Sequence, residues 1–380
     1  MQFAGGVDRP DRERHRNRPE HPRRKTLKKT VQLLIGLALA AGALYYTLHN
    51  VAMDELVKTF QSLDYFYALP TLGIMTLSYL LRAFRWRILL APMKQVRAGE
   101  LFSPLMVGFM GNILPGRAGE FFRAYLLGQK HGISFSGAFA TIVVERLFDL
   151  AVLLLLFVWV FVFRAQALDA SAQFSGVSVQ TLAYRFGQIS LVLVLGLVGF
   201  LYLLVAHQER MMGVVRWCIR PLPSRWHRKI EYLIHEFSLG LMVVKNFNAL
   251  CKIAIYSFLV WLAIIYSLYP LYLAYDVGNK SLESLVVVNL MVAICITVLP
   301  TPAMLGSFNA GVLIGLSKIM GEKELTAVSL SMVAWALNFA VVLGLGIYFI
   351  LHDHLSIQKL VEAEERAETQ HEEDERHYGD

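Results

Sequence analysis

Long apolar runs recur along the chain, each close to the roughly 20 residues a helix needs to cross a bilayer, with short polar segments between them. Six of these runs are predicted to be full spans: residues 31–48, 66–88, 138–163, 183–206, 253–275 and 326–351. Two further apolar stretches are shorter and meet proline. Residues 101–114 run into Pro115 and resume at 118–127, while residues 285–299 run into Pro300 and resume around 308–319. Proline has no amide hydrogen and pushes the preceding residue out of the α region, so each helix is expected to break there. Broken backbone at membrane depth is tolerated only when buried in protein or lining a wet cavity. The segments 101–127 and 285–319 are therefore read as re-entrant helical hairpins, with pairs of short ordinary spans as the alternative. The expected fold class is all-α: a polytopic helical membrane protein with about six full spans plus two broken hairpins.

Basic residues orient this pattern. The leader 1–30 is rich in Arg, Pro, Asp, Glu and His, too polar to bury a core, and is expected to be disordered in the cytoplasm. With it inside, segments 82–97, 117–130 and the loop carrying Arg210, Arg216, Arg220, Arg225, Arg228 and Lys229 are also cytoplasmic. Trp217 and Trp226 in that loop suggest an interfacial amphipathic anchor. The loops left outside hold only Lys58, then Arg164, Lys280, Lys318 and Lys323, which satisfies the positive-inside rule. Three full spans separate the hairpins, so the two enter from opposite sides. Their sequences are weakly alike: Ile113-Leu114-Pro115 followed by Gly119, and Val298-Leu299-Pro300 followed by Gly306. Opposite orientation with internal similarity is the plan of an inverted repeat, whose site lies where the broken helices meet. The domain reading is a leader at 1–30, a membrane domain at 31–352 and an acidic cytoplasmic tail at 353–380, with the first apolar run an uncleaved anchor and both termini cytoplasmic. The expected location is the bacterial inner membrane.

Composition narrows the function classes. Hydrophobic residues make up 56% of the chain and charged residues 17%, against about 25% charged in soluble proteins, which excludes an ordinary soluble domain. Net charge is +7, but the basic residues sit in the leader and beside apolar spans, so no nucleic-acid partner is expected. Cys218, Cys251 and Cys295 are isolated and the histidines fall mostly in tails and loops, so neither a metal nor a cofactor is assigned. No Walker motif is present to hydrolyse ATP.

The stretch 111–123 carries the most chemistry. Beyond the break, Gly116 and Gly119 free the amides of a new helix start, which suits an anion, and Asn112 stands just before it. Arg117 and Arg123 could add forked phosphate contacts. Glu120 lies three residues from each arginine, on the same helical face. The same group could instead be a charge staple holding the hairpin. Within an apolar span, Glu145, Arg146 and Asp149 would together cost several kcal/mol facing lipid, at about 2.5–3.5 kcal/mol per central charge. They must therefore sit near the interface or turn inward and pair, and inward pairing is expected, with Arg117 or Arg123 as partners. Arg82, Arg85 and Trp86 close the second span and read as an interfacial belt with snorkelling arginines, or as headgroup contacts. Pro300, Pro302, Gly306 and Asn309 form the second break.

At these residues the chain resembles the flippase-like membrane region of lysylphosphatidylglycerol synthases and its stand-alone relatives. The likeness rests on Arg82-x-x-Arg85-Trp86, Asn112-x-x-Pro115-x-Arg117-x-Gly119-Glu120-x-x-Arg123, Glu145-Arg146-x-x-Asp149, and Pro300-x-Pro302 followed by Gly306. It covers about residues 31–352. The resemblance implies a non-enzymatic domain that translocates or accommodates a charged lipid between leaflets. Asn112, Gly116, Arg117, Gly119 and Arg123 would bind the headgroup or phosphate, while Glu120, Glu145, Arg146 and Asp149 balance or switch. The synthases carry a soluble catalytic domain after the membrane region; a short acidic tail stands here, so aminoacyl transfer is not expected. The second loop also departs from the family pattern, which is richer in glycine and acidic where Asn309 stands. The rival expectation is a non-transporting partner that presents lipid or lipid-linked sugar to a glycosyltransferase or lipid-modifying enzyme. A membrane transferase ranks behind both, since no span offers a nucleophile beside a base.

Overall fold

The computed structural model describes residues 22–113, 118–164, 243 and 246–355, with scattered positions between 173 and 199. Among these the chain is helical, apart from a two-residue antiparallel pairing of Gln173–Phe174 with Val177–Ser178. The predicted span 183–206 falls largely outside the described residues, and the basic loop with Trp217 and Trp226 lies outside them entirely, as do Leu114 to Arg117 and the tail from residue 356.

Helix α1 (Pro22–Leu48) leads into α2 (Met53–Ser62), and the two bend by 83° at a short break. A 3-10 turn at Tyr65–Tyr67 opens α3 (Ala68–Leu90). The first predicted hairpin is α4 (Ala98–Gly111) and α5 (Gly119–His131), followed by α6 (Phe135–Val158), which continues as a π-helical turn at Trp159–Phe163. The second half opens with α7 (Phe247–Tyr266) and the short α8 (Tyr269–Ala274). The predicted span 253–275 is thus two helices: Pro270 cannot donate a ladder hydrogen bond and starts the second. Helix α9 (Leu282–Val298) follows, then α10 (Ser307–Val312, prolonged by a π-helical Leu313–Ile319) and α11 (Glu324–His352). Among the described residues, three helical stretches, Phe135–Phe163, Phe247–Ala274 and Glu324–His352, are long and apolar enough to cross a membrane. Helix α3 has the length, 23 residues, but carries Arg82, Arg85 and Arg87.

Both chain breaks depend on glycine. In the first, α4 and α5 cross so closely that a Cβ on Gly119 would lie 1.9 Å from the Gly108 carbonyl oxygen, so no other side chain fits. In the second, Leu299 leaves the helical region, Ala303 and Met304 take φ of 51° and 59°, and Gly306 takes φ of 84°. L-residues resist such angles, and glycine does not. The Gly306 amide donates to Asn309 Oδ1 at 3.1 Å, and Trp335 Nε1 of α11 donates to the Ala303 carbonyl at 2.9 Å, which pins the turn.

Helix α1 docks on this second break. Gly36 faces Pro302, and a Cβ on Gly306 would approach the Ala40 carbonyl oxygen to 2.7 Å. Two large apolar cores, with a smaller one around Val107, Phe122 and Leu126, fill the rest among the described residues. One joins α3 to α7 through residues such as Trp86, Leu105, Ile142 and Ile253; the other joins α8 to α11 through Tyr272, Val287, Leu316 and Val328. At the end of α11, Asp353 takes hydrogen bonds from Lys130 of α5 and Ser103 of α4, clasping that end to the first hairpin.

Candidate functional site

A cluster of charge lies between α3, α5 and α6. Arg85 is fully buried and serves both carboxylates of α6: Nη1 lies 2.6 Å from Asp149 Oδ1, and Nη2 lies 2.9 Å from Glu145 Oε1. Its Nη1 also donates to Ser257 Oγ of α7 at 2.9 Å. Arg123 of α5 reaches the other oxygen of Glu145 at 2.6 Å and stacks on the Trp86 ring, 3.8 Å from its centroid. The Trp86 indole donates to Thr141 Oγ1 at 3.0 Å. Helical spacing explains the assembly. Residues 82, 85, 86 and 89 share one buried face of α3, while Glu145 and Asp149 sit one turn apart on α6. Ions removed from water lose several kcal/mol of hydration each, and only close, hydrogen-bonded pairing offsets that.

Arg82 differs from its neighbours. It is 8% exposed, yet its Nη1 stands 3.9 Å from Glu145 and 3.8 Å from Asp149, beyond hydrogen-bond reach. Its guanidinium lies 5.3 Å from the Phe109 ring centroid and opens onto a cavity of about 230 Å³. Asn112 and Ile113 from the first break and Ala303 and Met304 from the second line the same cavity, which α3, α4, α7, α9, α10 and α11 enclose. The walls are largely apolar, with polar exceptions that include Ser78, Tyr79, Trp261, Ser267, Asn289 and Asn338, and Tyr79 Oη donates to Asn338 Oδ1 at 3.1 Å.

Several expectations change here. Arg82, Arg85 and Trp86 do not snorkel to an interface; all three are buried, because the phase of α3 turns them inward and leaves Arg87 exposed. Arg123 is held by Glu145 and Trp86 rather than presented at the helix start. Glu120 pairs with Arg146 at 3.4 Å instead of Arg123, because Arg123 points to the interior while Glu120 and Arg146 remain half-exposed. Arg146 also stands 3.5 Å from Glu145 and 3.5 Å from Asp149. Glu145 and Asp149 do face inward; Glu145 pairs with Arg123, one of the two partners expected, while Arg85, not foreseen from the sequence, serves both carboxylates. Gly119 makes the close crossing with Gly108, and Asn112 borders the cavity. Gly116 and Arg117 fall outside the described residues, as does Pro115. In the second break, Pro302 packs on Gly36, Gly306 is capped by Asn309, and Asn309 Nδ2 donates to Ser331 Oγ at 3.0 Å; Pro300 follows the last turn of α9. The sequence reading missed Ser257, Trp261, Asn289 and Asn338. Each is a polar group inside an apolar run, a signal of inward orientation.

No solved structure shows significant similarity to the chain. Among curated proteins, the glycosyltransferase AglD of Haloferax volcanii is 27% identical over 256 residues, which is 63% of this chain but only 40% of that protein. A UPF0104 membrane protein of Methanothermobacter thermautotrophicus is 25% identical over 335 residues, covering 84% of this chain and 94% of the relative. A second UPF0104 membrane protein, from Methanocaldococcus jannaschii, is 27% identical over 134 residues, 34% of this chain and 39% of the relative. The family described as the lysylphosphatidylglycerol synthase TM region matches residues 33–352, from the apolar part of α1 through the end of α11 and including every buried charge above. This chain is a multi-pass membrane protein and belongs to that family.

Proposed function

We propose that the chain translocates a charged lipid between the leaflets of the cytoplasmic membrane, or accommodates it between them, without enzymatic chemistry. The observation that carries this reading is the cavity bordered by both helix breaks, apolar on most sides and facing one buried arginine. Lipid transfer needs a polar recess for a headgroup inside an apolar body, and broken helices are where such recesses form. The element lengths support the inverted repeat: 14, 13 and 29 residues from α4 to the end of α6, against 17, 13 and 29 from α9 to α11. In this reading the hairpins enter from opposite faces and both termini lie in the cytoplasm. The pairs among Glu120, Glu145, Arg146 and Asp149 rearrange between inward-open and outward-open states.

The test is headgroup translocation in proteoliposomes holding the purified chain and a panel of anionic, zwitterionic and polyprenyl-phosphate lipids. Headgroup-selective movement is expected. A folded protein that moves none of them removes the transport reading. The second reading, a partner that presents lipid to a separate enzyme, is favoured by the similarity to AglD, a protein named as a glycosyltransferase. It predicts no movement alone and retention of the chain with an enzyme of that class.

A further inference from the structure

The surplus positive charge points to a specific ligand. Among the described residues, three guanidinium groups, Arg82, Arg85 and Arg123, share two carboxylates, Glu145 and Asp149, and none of the five is more than 8% exposed. Arg146 and Glu120, both half-exposed, pair with each other and cancel. One positive charge is therefore left over in a low-dielectric interior, where it is costly unless an anion balances it. The surplus is localised. Arg85 holds both carboxylates and Arg123 holds Glu145, and each of these two has only its Nε buried without a partner, whereas Arg82 has both Nε and Nη1 buried without a hydrogen bond. Of the three arginines, Arg82 alone lines the cavity.

Two further buried polar atoms lack a partner and belong to residues that line the same cavity: Trp261 Nε1 and Asn112 Oδ1. Buried polar groups in folded proteins are nearly always satisfied, so four unsatisfied atoms on three residues bordering one space imply that something else satisfies them. Arginine and indole nitrogens donate only, which selects an acceptor-rich anion. An amide side chain can turn to present either end, so Asn112 can meet the anion itself or a donor beside it.

We infer that this cavity is an anion site for the phosphate of a lipid headgroup, with Arg82 as its principal ligand, Trp261 as a second donor and Asn112 on its wall. The inference deepens the lipid-handling reading and rests on it for the source of the phosphate. The forked guanidinium matches two phosphate oxygens. The cavity, about 230 Å³, is smaller than the roughly 300–1,000 Å³ of pockets that enclose drug-sized molecules. It admits a headgroup and leaves the acyl chains in the bilayer. Glu145 and Asp149 stand 3.9 and 3.8 Å from Arg82 Nη1 and leave its hydrogen bonds free.

The test measures binding to the purified full chain in maltoside micelles, which contain no phosphate. The probes are dihexanoyl phosphatidylmethanol, the smallest phosphodiester lipid, the neutral dihexanoyl glycerol, and inorganic phosphate. The unaltered chain is expected to prefer phosphatidylmethanol over the neutral lipid by about tenfold or more. Arg82→Gln should abolish that preference, Trp261→Phe should weaken it several-fold, and Arg87→Gln, on the exposed face of the same helix, should leave it unchanged. Unliganded Arg82→Gln should melt at or above the temperature of the unaltered chain, because the uncompensated charge is gone. A purely structural arginine would lower that temperature. No preference in the unaltered chain, or full preference in Arg82→Gln, overturns the inference. If Arg82→Gln does not fold, Arg82→Lys decides: it keeps the charge and loses the fork, so an undiminished preference overturns the site and a reduced one supports it. Inorganic phosphate binding as tightly as phosphatidylmethanol overturns the lipid source. Arg82-dependent binding without translocation would sink the transport reading alone, whereas full translocation by Arg82→Gln would sink this site alone.

Discussion

Replacing Arg85 with Met should be among the most damaging single substitutions in the membrane domain. Arg85 is fully buried and neutralises Asp149 at 2.6 Å and Glu145 at 2.9 Å. Without it, two carboxylates one helical turn apart repel by about 3 kcal/mol, taking roughly 6 Å and an effective dielectric of about 20. Arg82, already within 4 Å of both, can close part of the gap. Breaking one buried ion pair costs about 3–5 kcal/mol, and with this partial relief the same range is expected here. Sodium dodecyl sulfate titration of the folded protein in mixed micelles, followed by circular dichroism, reads the loss. The pairwise component is isolated by adding Asp149→Asn. The double variant keeps the original surplus of one positive charge and should be more stable than the sum of the single losses by about 1–3 kcal/mol. Arg85→Met within about 1 kcal/mol of the unaltered chain, or a strictly additive pair, would refute the claim that this arginine holds the cluster together.

The same titration distinguishes buried from exposed charge: Arg146→Ala, whose side chain is 43% exposed and no closer than 3.4 Å to any acid, should cost less than about 1 kcal/mol. Gly119→Ala should force α4 and α5 apart and destabilise strongly, since its Cβ would overlap the Gly108 carbonyl, while Gly73→Ala, with open space at an exposed helical position, should stabilise by about 0.5–1 kcal/mol; paired melting curves decide. Burial would raise the Asp353 carboxyl, but hydrogen bonds from Lys130, Ser103 and His352 bring it down to about 2. Its folded value lies below its unfolded one, so the clasp contributes fully above the ordinary carboxylate range and is lost as pH falls through about 2. Stability curves of the unaltered chain and Asp353→Asn should therefore differ near neutrality and converge toward pH 2, and a constant gap would contradict the clasp.

Much of the helical layout was legible because its signals are local. Pro115 and Pro300 interrupt apolar runs, and the structure has separate helices on either side of both. The kink at Pro270 was equally visible, but the apolar run continues through it and masked the break. The inward turn of Glu145 and Asp149 followed from the cost of exposing charge to lipid. Their main partner did not, because Arg85 lies some sixty residues away and only tertiary packing brings it there. Arg82, Arg85 and Arg87 look alike as a basic end of a span. Helical phase separates them: 82, 85, 86 and 89 fall on one side and 84 and 87 on the other, so applying the 3.6-residue period would have found the buried pair. The cavity was not legible, since its lining comes from six helices and two breaks and each polar contributor is a single residue in an apolar run.

The docking of α1 on the second break also sets an order of events during synthesis. Gly36 leaves the ribosome well before its contact Pro302. Some 270 residues separate them, which at about 5–20 residues per second is a delay on the order of 15–50 s. Through that interval the small-residue face of α1, Gly36 and Ala40, must rest against something other than its final neighbour. The seam it closes is therefore sealed late. A nascent chain halted before residue 300 should leave that face open to labelling from within the bilayer, and a chain released past residue 320 should not.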